Sequence, residues 1–139
     1  MKKTIKGLGE TALRVRDLPT MQKFYEQVVG LELMRESASM AFFRIAEGYM
    51  GHTQILAMFV RSDVEDYQEP EIAKSTLDHF AFTIALEDYA SEKARLEELG
   101  IKVETAVHNW VKWRSLFFHD PEGNHVEFVC YDGSITSEP

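Results

Sequence analysis

At 139 residues, with 45% hydrophobic and 27% charged side chains, the chain is long enough for one domain that buries a core without disulfide staples. Fifteen Lys and Arg against twenty-three Asp and Glu give a net charge of −8, and such a surface repels phosphate backbones, which argues against nucleic-acid binding. No apolar run is long enough to cross a bilayer, the lysines after Met1 lack the apolar stretch of a secretory signal, and the single Cys130 has no partner for an internal disulfide, so a cytoplasmic protein without a membrane partner is expected.

Thr11, Leu13 and Val15 alternate with Ala12, Arg14 and Arg16, which reads as a strand ending at Asp17. Asp17 then caps a helix whose first turn accepts Pro19, and Met21, Phe24, Tyr25 and Val28 give it one apolar face before Gly30 stops it. Leu31 to Arg35, Met40 to Ala46 and Thr53 to Val60 read as three strands, the last preceded by a turn at residues 47–51. Residues 61–75 carry acids and Pro70 with little periodicity and read as a linker. A second round follows: a strand over Leu77 to Leu86, and a helix capped at Glu87-Asp88 with Tyr89, Leu96 and Leu99 inward. Gly100 ends that helix, and strands run over Ile101 to Val107, Arg114 to His119 and Asn124 to Tyr131. Residues 132–139 read as a frayed tail. The order β-α-β-β-β thus occurs twice, in modules spanning about 7–60 and 76–131 of a single domain.

The last strand carries the chemistry. His119 and the tight turn Asp120-Pro121-Glu122-Gly123-Asn124 lead into His125 to Val129, where alternation puts Glu127 on a face with His125 and Val129, opposite Val126, Phe128 and the core thiol Cys130. An acid in the middle of an apolar strand needs a partner, and a metal ion is one remedy. His79, Glu10 and Gln54 are the candidate co-ligands. Glu10 to His79 is 69 residues, Gly30 to Gly100 is 70 and Gln54 to Glu127 is 73, a spacing that signals internal duplication with turn insertions.

Ala12-Leu13-Arg14-Val15-Arg16-Asp17-Leu18, Phe24-Tyr25, Gly30-Leu31-Glu32-Leu33, Leu77-Asp78-His79 and Asp120-Pro121-Glu122-Gly123-Asn124 followed by Glu127-Phe128 together resemble the vicinal oxygen chelate superfamily of glyoxalases, bleomycin and fosfomycin resistance proteins and extradiol dioxygenases. The resemblance implies an α+β fold of two tandem βαβββ modules whose mixed sheet curls into a cup around one divalent metal (Fe, Mn, Co, Ni, Zn or Mg). Carried over by position, the metal ligands are Glu10, Gln54, His79 and Glu127. Glu10 departs from the His that many relatives have there, and Gln54 stands where glyoxalase I has Glu and methylmalonyl-CoA epimerase has Gln.

One imidazole, two carboxylates and an amide suit proton abstraction next to a carbonyl, with the enediolate held on the metal, Glu127 as base and Glu10 as second choice. His52, His108, Trp110, Trp113, Arg114 and His125 are the candidate substrate-binding residues. An Fe²⁺ dioxygenase acting on an aromatic substrate is the alternative enzyme, and a non-catalytic resistance protein that binds a small molecule is the third. A small-molecule substrate and a symmetric homodimer are expected. Each site residue also has a plain structural role open to it: Glu10 as a solvated strand end, Gln54 bonding backbone, His79 and Glu127 as a buried pair, Arg114 paired with an acid, and His119 exposed on its turn.

Overall fold

The computed structural model describes residues 1–137, which divide into two compact units, one ending at Glu71 and the other beginning at Ile72. The first unit holds β1 (Glu10–Arg14), α1 (Leu18–Phe24), β2 (Glu32–Glu36), β3 (Met40–Glu47) and β4 (Thr53–Phe59). Asp17 caps α1, its carboxylate accepting from the Thr20 amide at 3.2 Å and the Thr20 hydroxyl at 2.8 Å. The helix does not run unchanged to Gly30. Tyr25–Val29 form a wider turn in which the amides of Gly30 and Leu31 both donate to the Tyr25 carbonyl, and Gly30 takes φ 89°, which only glycine adopts without strain.

The first sheet has the order β1-β4-β3-β2, with β1 parallel to β4 and the other pairs antiparallel. One face carries Leu13, Val15, Ala41, Phe43, Leu56 and Met58, buried with Met21, Phe24 and Tyr25 from the helix segment. This is the apolar stripe of α1 finding the alternating face of its own sheet, as the sequence periods require.

The second unit repeats the plan with β5 (Phe80–Thr83), α2 (Tyr89–Glu98), β6 (Glu104–His108), β7 (Trp113–His119) and β8 (His125–Tyr131), in sheet order β5-β8-β7-β6. Phe82, Leu116, Phe118, Val126, Phe128 and Cys130 are buried on one face, and Leu96 is the buried residue of α2. The turn before β8 is fixed by Asp120, whose carboxylate accepts from the Glu122 and Asn124 amides at 3.0 Å each and from the Asn124 side chain at 2.8 Å. Gly123 supplies the positive φ, 87°, that closes it.

The expected curled cup is overturned. Among the described residues there are two four-stranded sheets, open at β1 and β2 in one and at β5 and β6 in the other, and neither is closed or strongly curled. Four strands are too few for a sheet to close on itself. The strand expected over Leu77 to Leu86 is shorter, Phe80–Thr83 with one further bond from the Ile84 amide to the Val129 carbonyl, and a tight helical turn at Leu86–Asp88 cuts its far end and leads into α2. Leu99 points outward, 53% exposed, since it lies past the last turn of α2.

The tail is not frayed where it is described. Asp132 and Ile135 are buried, and the Asn109 side chain donates to the Thr136 carbonyl at 2.9 Å. Glu138 and Pro139, part of that expectation, lie outside the described residues.

Candidate functional site

The second sheet presents its chemistry on the face turned away from its buried core. Register puts Ala81, Glu127 and Phe117 in one row across β5, β8 and β7, with His125 beside His119 one step along. Glu127 is only 5% exposed, and each carboxylate oxygen has its own neighbour. The fully buried Ser115 hydroxyl donates to Oε2 at 2.5 Å, and His79 Nε2 lies 3.3 Å from Oε1. The other imidazole nitrogen, Nδ1, is 2.7 Å from the Asp78 carboxylate. Phe117 and His125 wall the pair, their ring centroids 6.0 Å and 6.1 Å from that of His79, and His119 stacks on His125 at 4.8 Å.

This geometry carries a chemical tension. A carboxylate only accepts, so the Asp78 contact places a proton on Nδ1; in the neutral form of the ring the lone pair of Nε2 faces Glu127 Oε1, and in the protonated form Nε2 donates to it. Two electron-rich atoms 3.3 Å apart need a cation or a proton between them. Imidazole nitrogen and carboxylate oxygen are ordinary donors to a borderline divalent ion, and this pair supplies two of the three or four such an ion takes.

The first unit places its two expected ligands differently. Glu10 is exposed at the start of β1 and pairs with Ile55, whereas Gln54 precedes Ile55 on an uninterrupted strand and therefore projects from the opposite face. Gln54 and His52 instead line a hollow of about 200 Å³ with Gly9, Gly48 and Tyr49. The hollow is close-packed at its base: a Cβ on Gly9 would stand 3.1 Å from the His52 ring.

Register also changes the correspondence between the repeats. Thr11 pairs with Leu56 and Phe80 with Val126, so the residue that holds Glu127's place in the first sheet is Ala57, three positions from Gln54 and on the other face. Among the described residues, no three His, Cys, Asp or Glu side chains come together in a group able to hold a metal ion.

The remaining candidates scatter. Arg114 alternates with Ser115 and so lies on the opposite face from Glu127, where its Nε and Nη2 donate to Asp132 Oδ2 at 3.1 Å and 2.9 Å. Hydrogen bonds from Ser134, with Arg114 adding to them, hold the Asp132 carboxyl below its ordinary value. Burial pushes the Tyr89 hydroxyl and the Cys130 thiol up from theirs. Trp113 and His108 share the Glu127 face but pair at its far end, level with Tyr131, and Trp110 is 82% exposed in the β6–β7 turn. Sequence reasoning missed Ser115 and Asp78. The only signal for Ser115 was a small polar residue immediately before the apolar run Leu116 to Phe118.

Paired βαβββ units with an imidazole and a carboxylate on one sheet face define a protein of the paired-module, vicinal-oxygen-chelate type. Residues 7–128 match the Glyoxalase/Bleomycin resistance protein/Dioxygenase superfamily, and the chain belongs to it. Among curated relatives it is 25% identical to a glutathione transferase FosA of Serratia marcescens, over 88% of this chain and 79% of that protein. It is 30% identical to a biphenyl-2,3-diol 1,2-dioxygenase of Rhodococcus globerulus over 86% of the chain, but spans only 60% of that protein's length. Among solved structures, a lactoylglutathione lyase from Agrobacterium tumefaciens superposes with a TM-score of 0.69 at 28% identity, covering 92% of this chain and 96% of that one. A fosfomycin resistance protein from Listeria monocytogenes, complexed with Mn(II) and sulfate, shares the fold with a TM-score of 0.67 at 21% identity, covering 94% of each chain. No described helix is long and apolar enough to cross a membrane.

Proposed function

We propose that the chain is a metal-assisted enzyme that abstracts the proton next to a carbonyl of a small molecule, with Glu127 as the base. The observation that carries this reading is the buried Glu127 carboxylate, with Oε2 held by Ser115 and Oε1 left beside His79 Nε2. A divalent ion, when bound, supplies Lewis acidity that makes the C–H beside a carbonyl more acidic. His79 and Glu127 are the residues of the second unit that would hold it. Oε1 then takes the proton and returns it to the neighbouring carbon, giving isomerisation. Phe117 and His125 flank His79 and form the walls beside that oxygen. The relatives named a lyase and a glutathione transferase support small-molecule chemistry of this general kind. A symmetric homodimer belongs to the same proposal and is checked by sedimentation.

The test uses protein loaded with Co²⁺, Ni²⁺ or Mn²⁺, incubated in D₂O with the hemithioacetal of methylglyoxal and glutathione. Deuterium entering the substrate, and lost in Glu127→Gln, is the expected result; no exchange with any of the three ions sinks the reading. A second reading, ring-cleaving dioxygenation, is favoured by the 30% identity to the biphenyl-diol enzyme and by the aromatic wall Phe117 gives the site. Oxygen uptake by Fe²⁺-loaded protein with 2,3-dihydroxybiphenyl separates the two.

A further inference from the structure

We propose that Ser115 is a positioning residue for Glu127: its hydroxyl occupies Oε2, so that Oε1 alone is presented beside His79. This rests on the reading of His79 and Glu127 as a donor pair.

Ser115 is wholly buried between Arg114 and Leu116 in β7, and a buried hydroxyl is costly unless it is bonded. Its hydroxyl bonds Glu127, which sits diagonally across the ladder, because Ser115 pairs with Val129 and Phe117 with Glu127. The serine is itself fixed from behind, since the Tyr89 hydroxyl at the start of α2 donates to the Ser115 carbonyl at 3.0 Å. A continuous chain therefore runs from α2 through Tyr89, Ser115 and Glu127 to His79 and Asp78.

The first unit supports the assignment by contrast. Its register sets Phe42 against Ala57 and Met40 against Phe59, as the second sets Phe117 against Glu127 and Ser115 against Val129. Where the carboxylate is replaced by Ala57, the hydroxyl is replaced by Met40. The two polar groups occur together or not at all, as a carboxylate and the donor that orients it should. A carboxylate held at one oxygen cannot turn to offer both, so the second oxygen keeps one direction; such outer partners set the affinity of the ligands they hold.

The experiment compares wild type, Ser115→Ala, Ser115→Cys and Ser115→Thr by two readouts: His79 side-chain ¹⁵N resonances in metal-free protein, and Co²⁺ affinity by titration. Alanine removes the donor, and cysteine keeps similar size with a weak donor. Both are expected to shift the His79 resonances and weaken Co²⁺ binding about tenfold, with threonine restoring both. In a Glu127→Gln background, Ser115→Ala should have no further effect on Co²⁺ affinity. Wild-type resonances and affinity in the alanine and cysteine variants, with only a lower melting temperature, overturn the proposal and leave Ser115 a structural hydroxyl. Where wild type itself takes up no Co²⁺, the metal reading above fails separately. The His79 resonances then decide Ser115 alone: unchanged in both variants overturns it, shifted and restored by threonine sustains it.

Discussion

The two units share a strand order, a register and a helix-covered core, yet their other faces differ in kind. In the first, the row across β1, β4 and β3 is Ala12, Ala57 and Phe42; in the second, the row across β5, β8 and β7 is Ala81, Glu127 and Phe117. At this register position Ala57 stands in the first sheet where the second holds the buried acid Glu127. Duplication thus fixed the scaffold twice while the polar machinery of the second sheet, Glu127 with Ser115, has no counterpart in the first. The lesson is that equivalence between repeats has to be read from the hydrogen-bond ladder, because side chains change face with every residue.

The likeness of the two cores is tested most severely by Phe43→Ala and Phe118→Ala, which empty the corresponding layers of the first and second units. Both rings are buried, and each change is expected to cost about 3–5 kcal/mol. Urea unfolding followed by circular dichroism measures the first. Trp110 and Trp113 both belong to the second unit, so fluorescence follows Phe118→Ala directly. A loss under about 1 kcal/mol in either would break the claim of equal cores.

The contrast between the faces is tested by Glu127→Ala. It strands the buried Ser115 hydroxyl, so a loss of about 1–3 kcal/mol of stability is expected together with loss of Co²⁺ binding. Wild-type Co²⁺ affinity in this variant would show that the second sheet does not hold the ion.

Helix caps give a smaller difference. Asp17 accepts from Thr20, while Asp88, which precedes α2, makes no side-chain cap bond. Asp17→Ala should cost about 1 kcal/mol and Asp88→Ala much less, compared by urea midpoints. Equal losses would place the helix starts on the same footing.

Acid brings out a further asymmetry through Asp132. Its carboxyl is held below the ordinary 3.8 in the folded protein, so the stabilisation is present above that value and lost as pH falls through the lower folded value. The urea midpoint of wild type should therefore drop more steeply below pH 4 than that of Asp132→Asn, and parallel curves would remove Asp132 from the account. The smallest effect is expected from Gln54→Ala, which should leave Co²⁺ affinity unchanged because Gln54 faces away from the Glu10 side of its sheet. A clear loss would restore Gln54 as a ligand.

Much was legible before the tertiary structure. The period-two runs at residues 11–15 and 125–131, the cap at Asp17 and the glycine stops at Gly30 and Gly100 located strands and helix ends, since these signals act over a few residues. Glu127 was legible too, as an acid in an apolar strand. Less visible were Ser115 and Asp78, whose roles depend on partners 12 residues away and on a ring orientation. The broken end of α1 was hidden because Val28 keeps helical spacing whether the last turn is tight or wide. The order of the tail rests on the Arg114–Asp132 pair, which spans 18 residues.

By itself, then, the sequence determined the paired βαβββ plan and the acid on the last strand, because periodicity, caps and turn residues are local physics, while the superfamily was legible as a resemblance of motifs. Only the tertiary structure decided that the sheets stay open, that Ala57 and not Gln54 stands in Glu127's place, and that Arg114 serves Asp132 on the opposite face. Each of these is a matter of pairing, and a spacing counted along the chain through turns of unknown length does not say which residues meet across a ladder.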